Sequence, residues 1–352
     1  MLRTHSWLRR LAPLALPSLW GAVAVLWKLT CPIAQQEGTA ARIATSAVFF
    51  TVGTGLALGM RCGPAKELKQ VKAVARATQQ VLLRPPPPRL DGLSLAAAQL
   101  SAARGAAVGG DLYEAVATPH GVRIVIGDVR GHGLPALAAA AAVLGSFREA
   151  AHDEPALGDV LRRLERALGR HLRERARDEH PAAGGGDPAH PAAEEFVTVL
   201  LLEVRADGAV LALNCGHPWP YRLAGTRAEP VAAGEPLPPL GVLPLPAEPA
   251  PHRCTTLLPG EALFLHTDGA EDARDTSGRF FRLQDALDRA LLGTPVPPEA
   301  LIHRVHSALL RHTGGRLTDD VALMVVRNDR SRVPAQPADP ELRRTRPSPS
   351  PR

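Results

Sequence analysis

The sequence predicts an α+β domain preceded by two transmembrane helices. Three features predict it. Short apolar runs that begin or end at an aspartate recur from Asp111 to Asp320. Apolar or amphipathic helical runs stand between and after them. Two charge-free apolar stretches lie ahead of them all.

In chain order, residues 11–27 hold 17 positions without a charge between Arg10 and Lys28, and residues 43–60 hold 18 between Arg42 and Arg61. Each is at the short end of what crosses a hydrocarbon core of roughly 30 Å. Pro13 and Pro17 fall near the start of the first, where a span tolerates them. A cleaved signal peptide is the alternative for the first stretch. A lipoprotein reading at Cys31 fails, because Lys28 and Leu29 are not the small apolar residues it needs. Arg3, Arg9 and Arg10 precede the pair, and Arg61, Lys66, Lys69, Lys72, Arg76 and Arg84 follow it. That bias places both termini and the following domain in the cytoplasm, on the inner face of the cell membrane.

This organisation gives an anchor at 1–63, a juxtamembrane helix and linker at 64–88, the folded domain at 89–327 and a polar tail at 328–352. Leu68, Val71, Val74 and Val81 form the stripe of the juxtamembrane helix, whose basic face is either solvated or laid on anionic lipid. Pro85–Pro88 stop that helix and make a stiff link. The formal net charge of +6 is unevenly spread: residues 85–327 hold 24 basic against 30 acidic residues. The folded part is acidic, so the overall basicity does not imply nucleic acid. Cys31, Cys62, Cys215 and Cys254 show neither zinc nor disulfide spacing.

The domain is organised around VGGDLYEAVATPHGVRIVIGDVRGHG at 108–133. Val122, Ile124 and Ile126 alternate with Arg123 and Val125, as in a buried strand. Asp111 and Asp128 stand near the ends of neighbouring strands, among glycines that allow close backbone approach. Residues 134–151 read as a buried Ala-rich helix, and 157–175 as an amphipathic one. Residues 176–195 are low-complexity; His180 and His190 there read as solvated. Residues 196–204 and 209–215 make a hairpin over Asp207-Gly208, with Asn214 and His217 in the turn that follows. Residues 230–251 are a proline-rich loop, and 283–292 and 298–312 are helices that would cover a sheet. EALFLHTDG at 261–269 ends a strand in Asp268, and LTDDVALMVV at 317–326 starts one from Asp319 and Asp320.

A lone Asp beside Gly is ordinarily a turn. Diguanylate cyclases also use a GGD turn, but the acid–Phe pair that follows theirs is absent. Four aspartates at four strand ends are poorly explained as turns. Carboxylate oxygens suit a hard cation such as magnesium or manganese. No Walker-type loop or Cys-based phosphatase signature appears, so no nucleophilic side chain is required.

The ordered set GGDLYEA, GDVRGHGLPA, FVTVLLLEV, NCGHPWP, PLG, TDGAEDARD and TDDVALMVV resembles the metal-dependent protein Ser/Thr phosphatases of the PPM, or protein phosphatase 2C, type. The similarity covers about 81–327 and is greatest to the bacterial branch with the sporulation and stress-response phosphatases. The resemblance implies an αββα sandwich of two antiparallel sheets with a two-metal centre between them. It puts Asp111, Asp128, Asp268 and Asp319 at metal-ligand positions and the Val129 carbonyl at a further one. Asp320 is either a ligand or an orienter of one. Glu114 stands where Asp is frequent, and Ala322 where Thr is frequent. The expected chemistry is direct attack on phosphorus by a water activated by two manganese or magnesium ions. The implied substrate is a phosphorylated regulatory protein, often an anti-sigma-factor antagonist. The phosphate-gripping residue is not identified, and a homodimer through the spans or the 64–84 helix stays open. A non-catalytic scaffold and a small-phosphoester hydrolase are the competing readings; the scaffold would be expected to lose Asp ligands.

Overall fold

The computed structural model describes residues 81–100, 109–179, 195–231, 234–293 and 296–330, with 20, 47–48, 51–53 and 79 besides. The chain divides into two units, 1–74 and 75–352. In the first, residues 47–48 and 51–53 are helical, and the Thr51 hydroxyl donates to the Ala47 carbonyl at 2.7 Å. Gly53 stands beside Trp20, whose ring a Cβ would approach to 3.4 Å. That contact joins the two apolar stretches. The rest of both stretches, most of the 64–84 helix, His180, His190 and the tail beyond 330 lie outside the described residues.

The second unit holds two antiparallel sheets. The first runs β1 (Arg89–Leu90), β2 (Leu93–Leu100), β11 (Val321–Asn328), β10 (Ala262–His266), β7 (Tyr221–Ala224) and β8 (Arg227–Pro230). The second runs β3 (Asp111–Thr118), β4 (Gly121–Val129), β5 (Val197–Val204), β6 (Ala209–Cys215) and β9 (His252–Thr256). Helices α1 (Leu134–Asp153) and α2 (Leu157–Glu179) pack on the second sheet, and α3 (Leu283–Ala290) and α4 (Pro298–His312) on the first. Two antiparallel sheets flanked by helices were expected, and they are found.

Side-chain alternation builds these layers. Along β11, Ala322, Met324 and Val326 join the core shared with the second sheet, while Val321, Leu323 and Val325 join the core under α3 and α4. β10 divides likewise, with Leu263 and Leu265 on one side and Ala262 and Phe264 on the other. A strand buried on both faces reads as a continuous apolar run. Each fully buried Val, Leu or Met contributes roughly 1.5–3 kcal/mol.

α1 forms from a run of alanines, the best helix former, with Pro135 in its first turn. It stops at Glu154, which is extended because Pro155 follows. Among the described residues α1 is the one helix long and apolar enough to cross a membrane, but Val143, Leu144 and Phe147 are buried in the domain core. Its last carbonyls, those of Ala151 and Glu154, and that of Pro155 accept hydrogen bonds from Arg123 of β4. Arg123 is fully buried and also pairs with Glu203 of β5 at 2.8 Å. The alternation that makes β4 a strand thus points a charged residue at the helix layer. Glu114 of β3 is held by Arg148 of α1, which also donates to the Leu82 carbonyl at 2.9 Å. Leu83, one residue on, is buried in the main core, so the end of the segment before the proline linker is part of the domain. At the other end β11 runs to Asn328. Asp329 donates its backbone N–H to Gly92, and Arg330 binds the Asp91 carboxylate at 3.0 Å. The folded part therefore continues past the boundary expected at 327.

Candidate active site

The five aspartates come together where the ends of the two sheets meet. Asp111, the first residue of β3, is paired directly across the ladder with Asp128 of β4. Asp268 opens a single 3-10 turn, Asp268–Ala270, just after β10. Asp319 and Asp320 lead into β11, which pairs with β10 through His266↔Leu323. Antiparallel pairing makes the end of one strand the neighbour of the start of the next, so each sheet delivers its carboxylates to one edge.

Close packing then brings the two edges together. A Cβ on Gly109 would fall 1.8 Å from the Asp320 carboxylate, and one on Gly110 would fall 2.3 Å from the Val129 carbonyl and 3.0 Å from Asp128 Oδ1. Both glycines are required because the carboxylates occupy the space a side chain would take. Asp111 and Asp320 are buried, Asp128 is half-buried, and Asp268 and Asp319 face solvent.

The electrostatics are those of crowded like charges. Burial, then Asp128 and Asp320, hold the Asp111 carboxyl well above the usual range. Burial, then Asp268, Asp319 and Asp320, push Asp128 up to about 7. Surrounding protein, then Asp319 and Asp272, raise Asp268. Among the described residues no basic side chain offsets these three, although Thr267 bonds to Asp111 and favours its ionised form. Asp111 Oδ2 is buried without a hydrogen-bond partner, and such an atom calls for an explanation.

A hard divalent cation fits this donor set, which consists of carboxylate oxygens and the Val129 carbonyl. Among the described residues no three acidic, histidine or cysteine side chains are gathered tightly enough to clasp an ion as they stand. Magnesium-like ions keep several waters and take few protein ligands each.

Other residues here were not picked out as part of the site from the sequence. Asp272 adds a charge beside Asp268. The Thr267 hydroxyl accepts from the Ala322 N–H at 2.9 Å, tying β10 to β11. His217, placed by the sequence in the turn after the hairpin, is a brace. Its Nε2 faces the His266 carbonyl at 3.1 Å and its Nδ1 the Thr198 hydroxyl at 3.0 Å. A carbonyl only accepts, so Nε2 carries the proton and Thr198 donates to Nδ1. Asn214 fixes the turn through two bonds of 2.8 Å to the His217 backbone. Thr198 pairs with Asp128, and His266 lies two residues before Asp268. His217 thus links one sheet to the other. The clue in the sequence is the compact NCGH turn beside a strand. His132 is exposed in its turn, and Arg130 lies 5.4 Å over the Phe196 ring.

This fold and this carboxylate edge define a class, the phosphatase domain of the PP2C, or PPM, type. The chain belongs to the SpoIIE family: the model of stage II sporulation protein E matches residues 118–329. Among solved structures, the RsbU and RsbW domains of a Mycobacterium tuberculosis protein are 25% identical, with a TM-score of 0.53 over 73% of this chain and 64% of that one. The SiaA PP2C domain of Pseudomonas aeruginosa is 17% identical, with a TM-score of 0.51 over 76% of this chain and 98% of its own. The PP2C phosphatase domain of Bacillus subtilis SpoIIE, with a fragment of its regulatory domain, is 18% identical, with a TM-score of 0.50 over 67% and 64%. The chain thus spans just under two thirds of the mycobacterial and Bacillus chains it matches.

Proposed function

We propose that this chain is a membrane-anchored, metal-dependent protein serine/threonine phosphatase. It hydrolyses phosphoserine or phosphothreonine on a regulatory protein of the kind an anti-sigma-factor antagonist represents. The observation that carries this reading is the convergence of Asp111, Asp128, Asp268, Asp319 and Asp320 from strand ends of both sheets. That the mycobacterial relative joins an RsbU domain to an RsbW domain supports a phosphoprotein substrate. The two charge-free stretches, their basic flanks and the Trp20–Gly53 contact support the anchor.

Asp111, Asp128, the Val129 carbonyl, Asp268 and Asp319 would hold two manganese or magnesium ions, with Asp320 as ligand or orienter. Bound there, they would supply a water of lowered pKa and positive charge to offset that of the phosphoryl group. The protein's own part is positioning. The β3–β4 ladder fixes Asp111 against Asp128, and Thr267 bonds to Asp111 and favours its ionised form. Gly109 and Gly110 let backbone and carboxylates come within reach of each other.

The test measures turnover of an aryl phosphate and of phosphoserine and phosphothreonine peptides by the full chain. Manganese, magnesium and chelator are compared, with Asp128→Ala and Asp268→Ala alongside and metal binding followed by calorimetry. Metal-dependent turnover lost in both variants is the expected result. Absence of metal binding in the wild type would overturn it.

A further inference from the structure

The outer face of α3 and α4 carries a groove that the carboxylate edge does not use. Its larger part is a cleft of about 910 Å³ lined by Arg279, Phe280, Arg282, Arg289 and Arg311. A second cleft of about 440 Å³ shares Arg289, Ala308 and Arg311 with the first and adds His303 and Arg304. The two are therefore continuous. Five arginines face this groove and only two acids, Asp275 and Asp285. The surrounding domain is acidic overall, at 24 basic against 30 acidic residues over 85–327.

The arginines have donors to spare. Arg289 and Arg311 are exposed and have no carboxylate partner among the described residues. Arg279 meets Asp275 at 2.9 Å and Arg282 meets Asp285 at 3.8 Å, yet their side chains are 81% and 86% exposed. A guanidinium has five N–H donors, which one carboxylate does not satisfy. An exposed aromatic sits among them: Phe280 is 51% exposed, with the Arg274 guanidinium stacked 3.9 Å from its ring centre. Aromatic and arginine side chains together are the composition of binding hot spots.

The arm that presents Phe280 is built, not loose. Arg274 and Phe280 bridge as a small hairpin. Within it the Asp275 carboxylate accepts from the Ser277 hydroxyl and from the backbone N–H groups of Ser277 and Arg279. At its base His312 of α4 contacts the Arg279 carbonyl at 3.0 Å and stands 5.4 Å from the Phe281 ring. The arm begins four residues after the turn that carries Asp268.

We propose that this groove docks an acidic segment, with an apolar residue set against Phe280, on the protein whose phosphoserine or phosphothreonine the carboxylate edge receives. The proposal rests on the phosphoprotein reading above. A bilayer or a nucleic acid suits the groove less well. Both are extended polyanions that would run out of the groove onto the acidic surface around it, whereas a short segment stays where five arginines outnumber Asp275 and Asp285. The chain's own residues 331–352 do not match it either, with five arginines against two acids.

The test uses the full chain and a fluorescein-labelled peptide of Asp, Glu and Leu without phosphate, followed by anisotropy. Its control is the same peptide with Asn and Gln in place of Asp and Glu. The acidic peptide is expected to bind about 10-fold or more tightly than the control, and to weaken with salt. Arg289→Glu with Arg311→Glu should remove that preference, and Phe280→Ala should weaken binding of the acidic peptide, with aryl phosphate turnover unchanged in both. Equal binding of the two peptides, or a preference that survives the double reversal, overturns the proposal. So does binding of a thymidine oligonucleotide in place of the peptide, or binding of phosphatidylcholine–phosphatidylserine vesicles that the double reversal abolishes. Peptide binding lost in the variants of a chain that hydrolyses no phosphoester would uphold the groove and sink the phosphatase reading.

Discussion

Replacing Arg123 with methionine tests what holds α1 to the second sheet. Arg123 has no exposed surface. Its guanidinium makes bonds of 3.0 and 2.8 Å to Glu203 and donates to the carbonyls of Ala151, Glu154 and Pro155. Methionine fills much of the volume but satisfies none of these groups. Among the described residues Glu203 then keeps Arg205 alone, which is half exposed. Breaking a buried pair from one side costs about 3–5 kcal/mol, because the remaining charge stays buried. A domain's whole stability is about 5–15 kcal/mol, so Arg123→Met is expected to remove a large share of it. Adding Glu203→Leu removes the stranded charge and should recover part of the loss. The three carbonyls at the end of α1 would still lack a donor, at about 1–3 kcal/mol for each that stays buried. Urea unfolding of the full chain in detergent, followed by circular dichroism, orders the three proteins as wild type, double variant, single variant. A single variant within about 1 kcal/mol of wild type, or a double variant no better than the single, would refute an account in which the buried charge carries the cost.

Three further outcomes follow from the same geometry. Asp128→Asn should cut turnover by more than the roughly 10–100-fold typical of groups that only orient a ligand, and should also weaken manganese binding by calorimetry; unchanged metal affinity would remove Asp128 from the ligand set. Gly109→Ala places a Cβ 1.8 Å from the Asp320 carboxylate and should lower kcat/KM by about 10-fold or more with little change in thermal midpoint; full activity would mean that the position of Asp320 does not matter. Burial, then His266, hold His217 down to about 3, so the unfolded chain binds a proton that the folded one refuses. His217 therefore contributes stability that is full above about pH 6.5 and falls by up to about 1.4 kcal/mol per pH unit toward pH 3. His217→Gln should remove that share of the slope in urea midpoints taken across this range, while the buried His266 keeps its own; an unchanged slope would refute it.

What could be read in the sequence follows what local pattern encodes. The α4 boundaries at 298 and 312 appear as expected, because Pro297 and Pro298 fix the start and Gly314 and Gly315 the end. The hairpin over Asp207-Gly208 is found too, with Gly208 at φ 83 and Asp207 accepting from the Ala209 N–H. β2 was not legible: LSLAAAQL favours a helix by composition. It is a strand because all eight of its residues pair with β11. Tertiary pairing overrides propensity there. The burial of Arg123 was hidden for a related reason, since a charged residue on one face of a strand ordinarily marks that face as solvated. The aspartates could be found as strand-end residues, yet which of Asp319 and Asp320 is buried depends on Gly109, some 210 residues away in sequence. Proximity across two sheets has no local signature.

That separation shapes how the site must work. Asp111 and Asp128 lie in strands of one sheet, and Asp268, Asp319 and Asp320 flank strands of the other. Within each sheet the ladders hold the carboxylates to a fixed register. Between the sheets the apolar core holds them, and that core is non-directional. A slip of one sheet against the other would cost the core little at first and would still move carboxylates out of reach. Directional contacts across the gap are what forbid such a slip. His217 supplies one, from the Thr198 hydroxyl beside Asp128 to the His266 carbonyl just before Asp268. The close fit of the Asp320 carboxylate against Gly109 adds a steric restraint. Substitutions at His217 should therefore lower turnover even at pH values where stability is unaffected. Measured at pH 7.5, where His217 is neutral in both states, His217→Gln should lose activity out of proportion to its unfolding midpoint. Equal losses in the two would mean that the apolar core alone keeps the sheets aligned.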